Sequence, residues 1–240
     1  MTIFIYGFGD FGKLLTRYLS EHARVLVYDR HSQTDKITQL GAEVADVADV
    51  SQADVVIVAI TLDRLEASLT AIAPHLKPAA LVADVTSVKV KPAEMMQRLL
   101  PQHVQILATH PLFGPVSAAD SLLNHKVVID PIRVNDLSKV EAFLKSLGLI
   151  TIQMTCDEHD REMAWVHALT FFVGRGLLNM DPPASPLATH YYNELLDVVN
   201  VERTHSRELF NTIQQGNPYA AEMRQRFIAS LQELQDQITS

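Results

Sequence analysis

Six residues near the start, Gly7-Phe8-Gly9-Asp10-Phe11-Gly12, constrain this chain more than any others. They follow an apolar run, Ile3–Tyr6, that reads as a buried strand, and they open a segment with helical periodicity. Alone, G-x-G-x-x-G is a weak pattern; between a strand and a helix it is a dinucleotide-binding fingerprint. Gly7 permits the tight turn, Gly9 lets a pyrophosphate approach the backbone, and Gly12 allows close helix–strand packing. Asp10 and Phe11 open the helix, whose N-terminal N–H groups and dipole favour an anion.

The next 140 residues repeat the alternation. Val25–Tyr28, Val55–Ile60, Ala80–Asp84, Val104–Thr109 and Lys126–Asp130 read as strands, and Ile150–Met154 as a further one at an edge. Helical segments near 10–21, 62–74, 91–100 and 136–147 lie between them. This order argues for an α/β domain built on a doubly wound, parallel sheet. After residue 155 the strand pattern stops. Asp157-Glu158-His159-Asp160 suits a helix start, and Met163–Leu178 is apolar on nearly every face apart from His167 and Arg175. Helices near 187–213 and 218–238 follow Asp181-Pro182-Pro183. The expectation is a Rossmann domain over 1–154 and an all-α domain over 155–240. A helix apolar all round is buried in a bundle or at a subunit interface, so the second domain is expected to form a homodimer.

Composition narrows the partners. The net charge of −8 disfavours nucleic acid and anionic membrane surfaces, and the acidic excess lies mostly beyond residue 150. A single cysteine, Cys156, excludes an internal disulfide and suits a reducing compartment. The start carries no signal-peptide pattern and no apolar run spans a bilayer, so a cytoplasmic location is expected. No His, Cys, Asp or Glu cluster has zinc spacing, and no metal is expected.

Candidate site residues gather at the carboxyl ends of the strands, where open α/β sheets place their ligands. Asp29 ends the second strand and can accept hydrogen bonds from an adenine ribose, which favours NAD. The adjacent Arg30 and His31 leave NADP open, because a guanidinium can hold a 2′-phosphate. Thr61, after Val55–Ile60, is a further cofactor contact. Ser87 and Lys89 follow the strand ending at Asp84, and His110 follows the strand ending at Thr109. Imidazole suits the removal of a hydroxyl proton while a hydride leaves carbon, and Ser87 would orient it or the substrate. The alternative for His110 is a strand-end histidine satisfied by backbone. For His167, a hydrogen-bonded core or interface histidine competes with a substrate contact. Arg175 is either a relocated anion contact or half of an ion pair at the subunit interface.

The glycine loop, Asp84-Val85-Thr86-Ser87-Val88-Lys89, Thr109-His110-Pro111-Leu112-Phe113-Gly114-Pro115 and His159-Asp160-x-x-Met163-Ala164 occur in this order in prephenate and arogenate dehydrogenases. The chain resembles that family over nearly its whole length, most specifically in the His-Pro-x-x-Gly segment. The resemblance implies a Rossmann domain, a helical dimer domain, and a place in tyrosine biosynthesis. The implied reaction is the NAD(P)-dependent oxidation of a 4-hydroxycyclohexadiene with loss of carbon dioxide. It implies that His110 hydrogen-bonds or deprotonates the ring hydroxyl with Ser87 nearby; Lys89, Gly114, His167 and Tyr192 are the candidates for the substrate side. Two positions depart from the family: Phe171 stands where a second histidine is usual, and Tyr192 where an arginine grips the side-chain carboxylate. A phenol does not replace a bidentate guanidinium. A related dehydrogenase acting on another small acid, and a non-catalytic NAD(H)-binding paralogue, are the competing readings.

Overall fold

The structure, a computed structural model, describes residues 1–239. The chain divides into two compact units, Met1–Cys156 and a second beginning at Asp157.

The first unit is a single eight-stranded sheet flanked by helices. In chain order the strands are β1 (Thr2–Tyr6), β2 (Arg24–Tyr28), β3 (Glu43–Val44), β4 (Val55–Val58), β5 (Leu81–Asp84), β6 (Gln105–Pro111), β7 (Lys126–Arg133) and β8 (Ile150–Gln153). Their spatial order is β3-β2-β1-β4-β5-β6-β7-β8. Helices α1 (Asp10–Leu19), α2 (Thr34–Gln39), α3 (Leu62–Ile72), α4 (Val90–Leu99) and α5 (Leu137–Ser146) connect them. The central strands are buried on both faces, as helix-covered parallel strands must be, so they read as unbroken apolar runs. Phe4, Leu26, Val56, Val82 and Ile106 face one way and pack with Leu65, Leu69, Ile72 and Met96 of α3 and α4. Ile3, Ile5, Val25 and Val27 face the other way, against Leu19 of α1 and Ile37 of α2.

Two features differ from the sequence expectation. The short β3 and α2 carry too few residues to show a period. The sheet is also not wholly parallel: β7 pairs antiparallel to β6, with Pro111 opposite Val127. A parallel neighbour needs a crossover connection, usually a helix, and the connection 112–125 contains none. α5 supplies one after β7, so β8 runs parallel to β7 at the sheet edge.

The second unit is helical. It contains α6 (Cys156–Met163, which begins on the last residue of the first unit), α7 (Thr170–Met180), α8 (His190–Thr204), α9 (Arg207–Asn211) and α10 (Ala220–Thr239). The helix expected over 187–213 is interrupted: Ser206 is extended, and its hydroxyl accepts the Leu209 N–H at 3.1 Å to start α9. Between α6 and α7, Ala164–Leu169 forms a π-helical turn, and Thr212–Gly216 forms another after α9. Gln214 joins the two, donating through Nε2 to the Ala168 carbonyl at 2.7 Å. Ala164, Ala168, Phe171, Ile213, Ala220 and Met223 make this unit's core. Among the described residues, no helix is long and apolar enough to cross a membrane.

Candidate active site

The glycine loop leaves β1 through Gly7, whose φ of +108° is open only to glycine in practice. Its N–H donates to the Tyr28 carbonyl at 2.8 Å, which fixes the turn against β2. A Cβ on Gly7 would meet the Ala59 carbonyl oxygen at 2.4 Å, and one on Gly12 the Gly7 carbonyl oxygen at 2.1 Å. A Cβ on Gly9 would meet nothing within 4 Å. Two glycines are therefore required by packing, while the third borders open space where the loop turns into α1. No side chain caps the first turn of that helix. These features fit a pyrophosphate, which Gly9, Asp10, Phe11 and Gly12 would hold.

Asp29, just past β2, lies beside the loop. Its Oδ2 accepts the Phe8 N–H at 2.8 Å and its Oδ1 the His31 N–H at 2.8 Å. The carboxylate thus has a fixed direction and still has lone pairs for a ribose diol. Gln33, absent from the sequence expectations, donates to the Phe8 carbonyl at 3.3 Å. Arg30 is exposed, with Nε 2.9 Å from His31 Nε2. Burial, with Tyr6 and Asp29 nearby, raises the Tyr28 phenol above its ordinary value. Thr61 is exposed and precedes α3 at the carboxyl end of β4.

β5 and β6 are neighbouring parallel strands, with Asp84 opposite Ala108. Ser87 and His110 therefore leave the same edge of the sheet as the glycine loop. His110 is 5% exposed and lies inside β6, opposite Val128 of β7, rather than just beyond the strand. Ser87 is half-buried in the bend after β5, and Gly114 is half-buried in the connection after β6.

Lys89 corrects an expectation. Instead of reaching toward substrate it is 1% exposed, with Nζ 2.5 Å from Asp84 Oδ2 and 2.5 Å from the Thr109 carbonyl. An ammonium this deep is held by the paired carboxylate and carbonyl around it. Asp84, fully buried, also accepts the Thr86 hydroxyl at 2.5 Å and the Thr86 N–H at 3.1 Å. The sequence reading gives Asp84 no role beyond ending its strand; its signal is an acid closing an apolar strand five residues before a lysine. Close by, Cys156 donates its N–H to Asp130 Oδ2 at 2.7 Å, and burial together with Asp130 pushes its thiol well above the ordinary range.

The second unit holds His167, Phe171, Arg175 and Tyr192. Phe171 stacks on His205 with centroids 4.4 Å apart and meets His167 edge-on at 4.5 Å. Burial, then the neighbouring His205 and His159, lower the His167 imidazole to about 4. Arg175 is engaged within the chain: its Nε is 2.7 Å from Oε1 of Glu202, which is 3% exposed. The sequence had set this arginine at a subunit interface or on a ligand; its partner here lies on α8 of its own chain. Tyr192 donates its hydroxyl to the Pro183 carbonyl at 2.6 Å. His159 and Asp160 lie inside α6 as a buried pair at 2.8 Å.

The chain is similar to known proteins over nearly its whole length. Residues 11–152 match the family described as prephenate dehydrogenase, nucleotide-binding domain, and residues 177–240 match the TYRAAT1-like C-terminal domain. Arogenate dehydrogenase 1 of Arabidopsis thaliana is 31% identical over 99% of the chain, and arogenate dehydrogenase 2 of the same plant is 30% identical over 99%. The chain spans 39% of the first protein's length and 70% of the second's. The fold is also that of a prephenate dehydrogenase from A. aeolicus, solved with hydroxyphenyl propionate and NAD+. The TM-score is 0.80 at 20% identity, covering 100% of this chain and 91% of that one.

Proposed function

Because this chain belongs to the prephenate and arogenate dehydrogenase family, we propose that it oxidises the ring hydroxyl of a 4-hydroxycyclohexadiene acid with NAD. The observation that carries this reading is that Ser87, just after β5, and His110, in the neighbouring β6, lie at the sheet edge from which the glycine loop also leaves. Bound NAD supplies the hydride acceptor. Gly9, Asp10, Phe11 and Gly12 hold its pyrophosphate, Asp29 accepts from the adenine ribose, and Thr61 lies at the same edge. A carboxylate at Asp29 repels a 2′-phosphate, so NAD is preferred to NADP.

His110 accepts the hydroxyl proton as the carbonyl forms, and loss of the ring carboxylate as carbon dioxide completes aromatisation. The low exposure of His110 limits the water that competes for its ring nitrogens. Ser87 hydrogen-bonds the imidazole or the hydroxyl and fixes which lone pair takes the proton. Gly114 remains a candidate on the substrate side; in the helical unit His167 packs edge-on against Phe171 and the Tyr192 hydroxyl is taken by Pro183. Lys89, buried on Asp84 and the Thr109 carbonyl, is given no contact with substrate.

One observation favours a different small acid as the natural substrate. Tyr192 stands where the family places an arginine, and its hydroxyl is already used by Pro183. The helical unit is assigned to a homodimer, because Ile228, Leu231, Leu234 and Ile238 line one side of α10 and each exposes half or more of its surface. The decisive experiment follows reduced-nicotinamide absorbance when purified protein meets NAD with prephenate or arogenate, beside His110→Asn. Turnover abolished by that change supports the reading. Tight NAD binding with turnover of neither substrate refutes it in favour of another acid or a binding role.

A further inference from the structure

The Asp84–Lys89 pair is a buried charge to which the proposed reaction gives no direct task. Lysine and aspartate are rarely this deep, and a buried pair is often no more stabilising than apolar residues of the same volume. What the pair holds is more informative than what it contributes to stability. The regular ladder between β5 and β6 ends at Asp84 opposite Ala108. Thr109 and His110 lie one and two residues beyond that last rung: β7 pairs with them on one side, opposite Ile129 and Val128, while on the other side no β5 backbone remains.

Side chains take over there. Lys89 Nζ donates to the Thr109 carbonyl at 2.5 Å while paired to Asp84 at 2.5 Å. The Thr109 hydroxyl returns to the Asp84 carbonyl at 2.5 Å, and the Thr109 N–H faces Asp84 Oδ1 at 3.4 Å. The Thr109 carbonyl belongs to the peptide that carries the His110 nitrogen. Fixing that oxygen from the β5 side sets the plane of the peptide within β6, and with it the direction in which the His110 side chain projects. The same carboxylate holds Thr86 through both its N–H and its hydroxyl, one residue before Ser87. Ser87 and His110 are thus each a single residue from one shared anchor.

We infer that Lys89, together with Asp84, is a positioning residue that sets the His110 imidazole relative to Ser87. This rests on the reading of His110 as proton acceptor. A displacement of about 1 Å at a reacting group can cost about 10²-fold in rate, which sets the expected effect. Removing Lys89 alone would strand a buried carboxylate, so the test uses Asp84→Asn with Lys89→Met, which leaves no buried charge and nearly the same volume. The double variant should keep the wild-type KM for NAD and lose about 10²-fold in kcat. The His110 Cε1–H resonance, assigned with His110→Asn, should move from its wild-type position. Wild-type kcat with an unmoved His110 resonance would overturn the inference. If the double variant does not fold, Thr109→Val, which removes only the hydroxyl contact to the Asp84 carbonyl, is read in the same two ways. Should the wild-type protein turn over neither prephenate nor arogenate, the proposed reaction fails, and the resonance alone decides the positioning role.

Discussion

Replacing Gly12 with alanine sets two effects of opposite sign against each other. Inside a helix, alanine is favoured over glycine by about 1 kcal/mol, so an unobstructed change in α1 would stabilise the fold. Gly12 is obstructed, because its Cβ would lie 2.1 Å from the Gly7 carbonyl oxygen and 3.0 Å from the Gly7 carbonyl carbon. The obstacle is backbone, and it is pinned: the Gly7 N–H is held by Tyr28, and the residue's positive φ leaves it few alternatives. Overpacking costs about 1–3 kcal/mol, and an immovable partner places this case at the upper end. Subtracting the helix gain leaves a net loss of about 2 kcal/mol, or about 4–8 °C in Tm for a chain of this size. Urea unfolding followed by circular dichroism reads the loss as a lower midpoint at unchanged slope. Gly9→Ala is the matched control. With φ at −68° and nothing within 4 Å, it should melt close to wild type. It should nonetheless lose most of the stabilisation that NAD confers, since its methyl would occupy the open approach. A Gly12→Ala protein that melts at or above the wild-type temperature would refute the packing argument.

Two further outcomes follow from the helical unit. His167 titrates near 4 when folded and near 6.5 in its unperturbed state. As pH falls the unfolded chain therefore binds the proton first: stability is full above about pH 6.5, declines below it, and the loss is complete near pH 4, at up to about 3 kcal/mol. His167→Gln should flatten that decline in urea midpoints measured across the window; an unchanged slope would show the acid sensitivity lies elsewhere. Arg175→Met takes the guanidinium from the carboxylate of Glu202, which is 3% exposed, and leaves it His205 Nδ1 at 3.3 Å. It should cost about 3 kcal/mol, the low end for a broken buried pair because the arginine is itself partly exposed. Adding Glu202→Gln should restore most of this loss in thermal melts, and a double variant no better than the single would contradict the ion-pair account.

The parts of the molecule legible in the sequence are those fixed by local pattern. Ile3–Tyr6 followed by three spaced glycines specifies a strand, a tight turn and a helix from steric requirements alone, and the structure has all three. The strand end at Asp84 is equally plain, whereas β6 runs past the expected end at Thr109 to Pro111, because β7 pairs with those last residues. Tertiary partners decide the rest. Lys89 reads as a cation near the site; its burial depends on the Thr109 carbonyl twenty residues away, which no local pattern encodes. The π-helical turn at Ala164–Leu169 is supported by Gln214 from another segment, so the apolar run around it reads as an ordinary helix. Phe171 looks like a lost histidine, and only its stacking on His205 shows how the ring is accommodated.

The reversal of β7 has a consequence for how such a site can change over time. The connection 112–125 leaves the sheet at Pro111 and returns beside it, where Pro111 faces Val127 and the Leu112 N–H donates to the Lys126 carbonyl at 2.9 Å. Its ends are fixed against each other whatever lies between. It is tacked down in the middle by Tyr18, whose hydroxyl donates to the carbonyl of the buried Ala118 at 3.0 Å. The entropy of closing a loop rises only with the logarithm of its length, about 0.6 kcal/mol for each doubling. Insertions on either side of Ala118 would therefore leave both strand registers intact. The segment that follows His110 can change in length while the imidazole stays where it is.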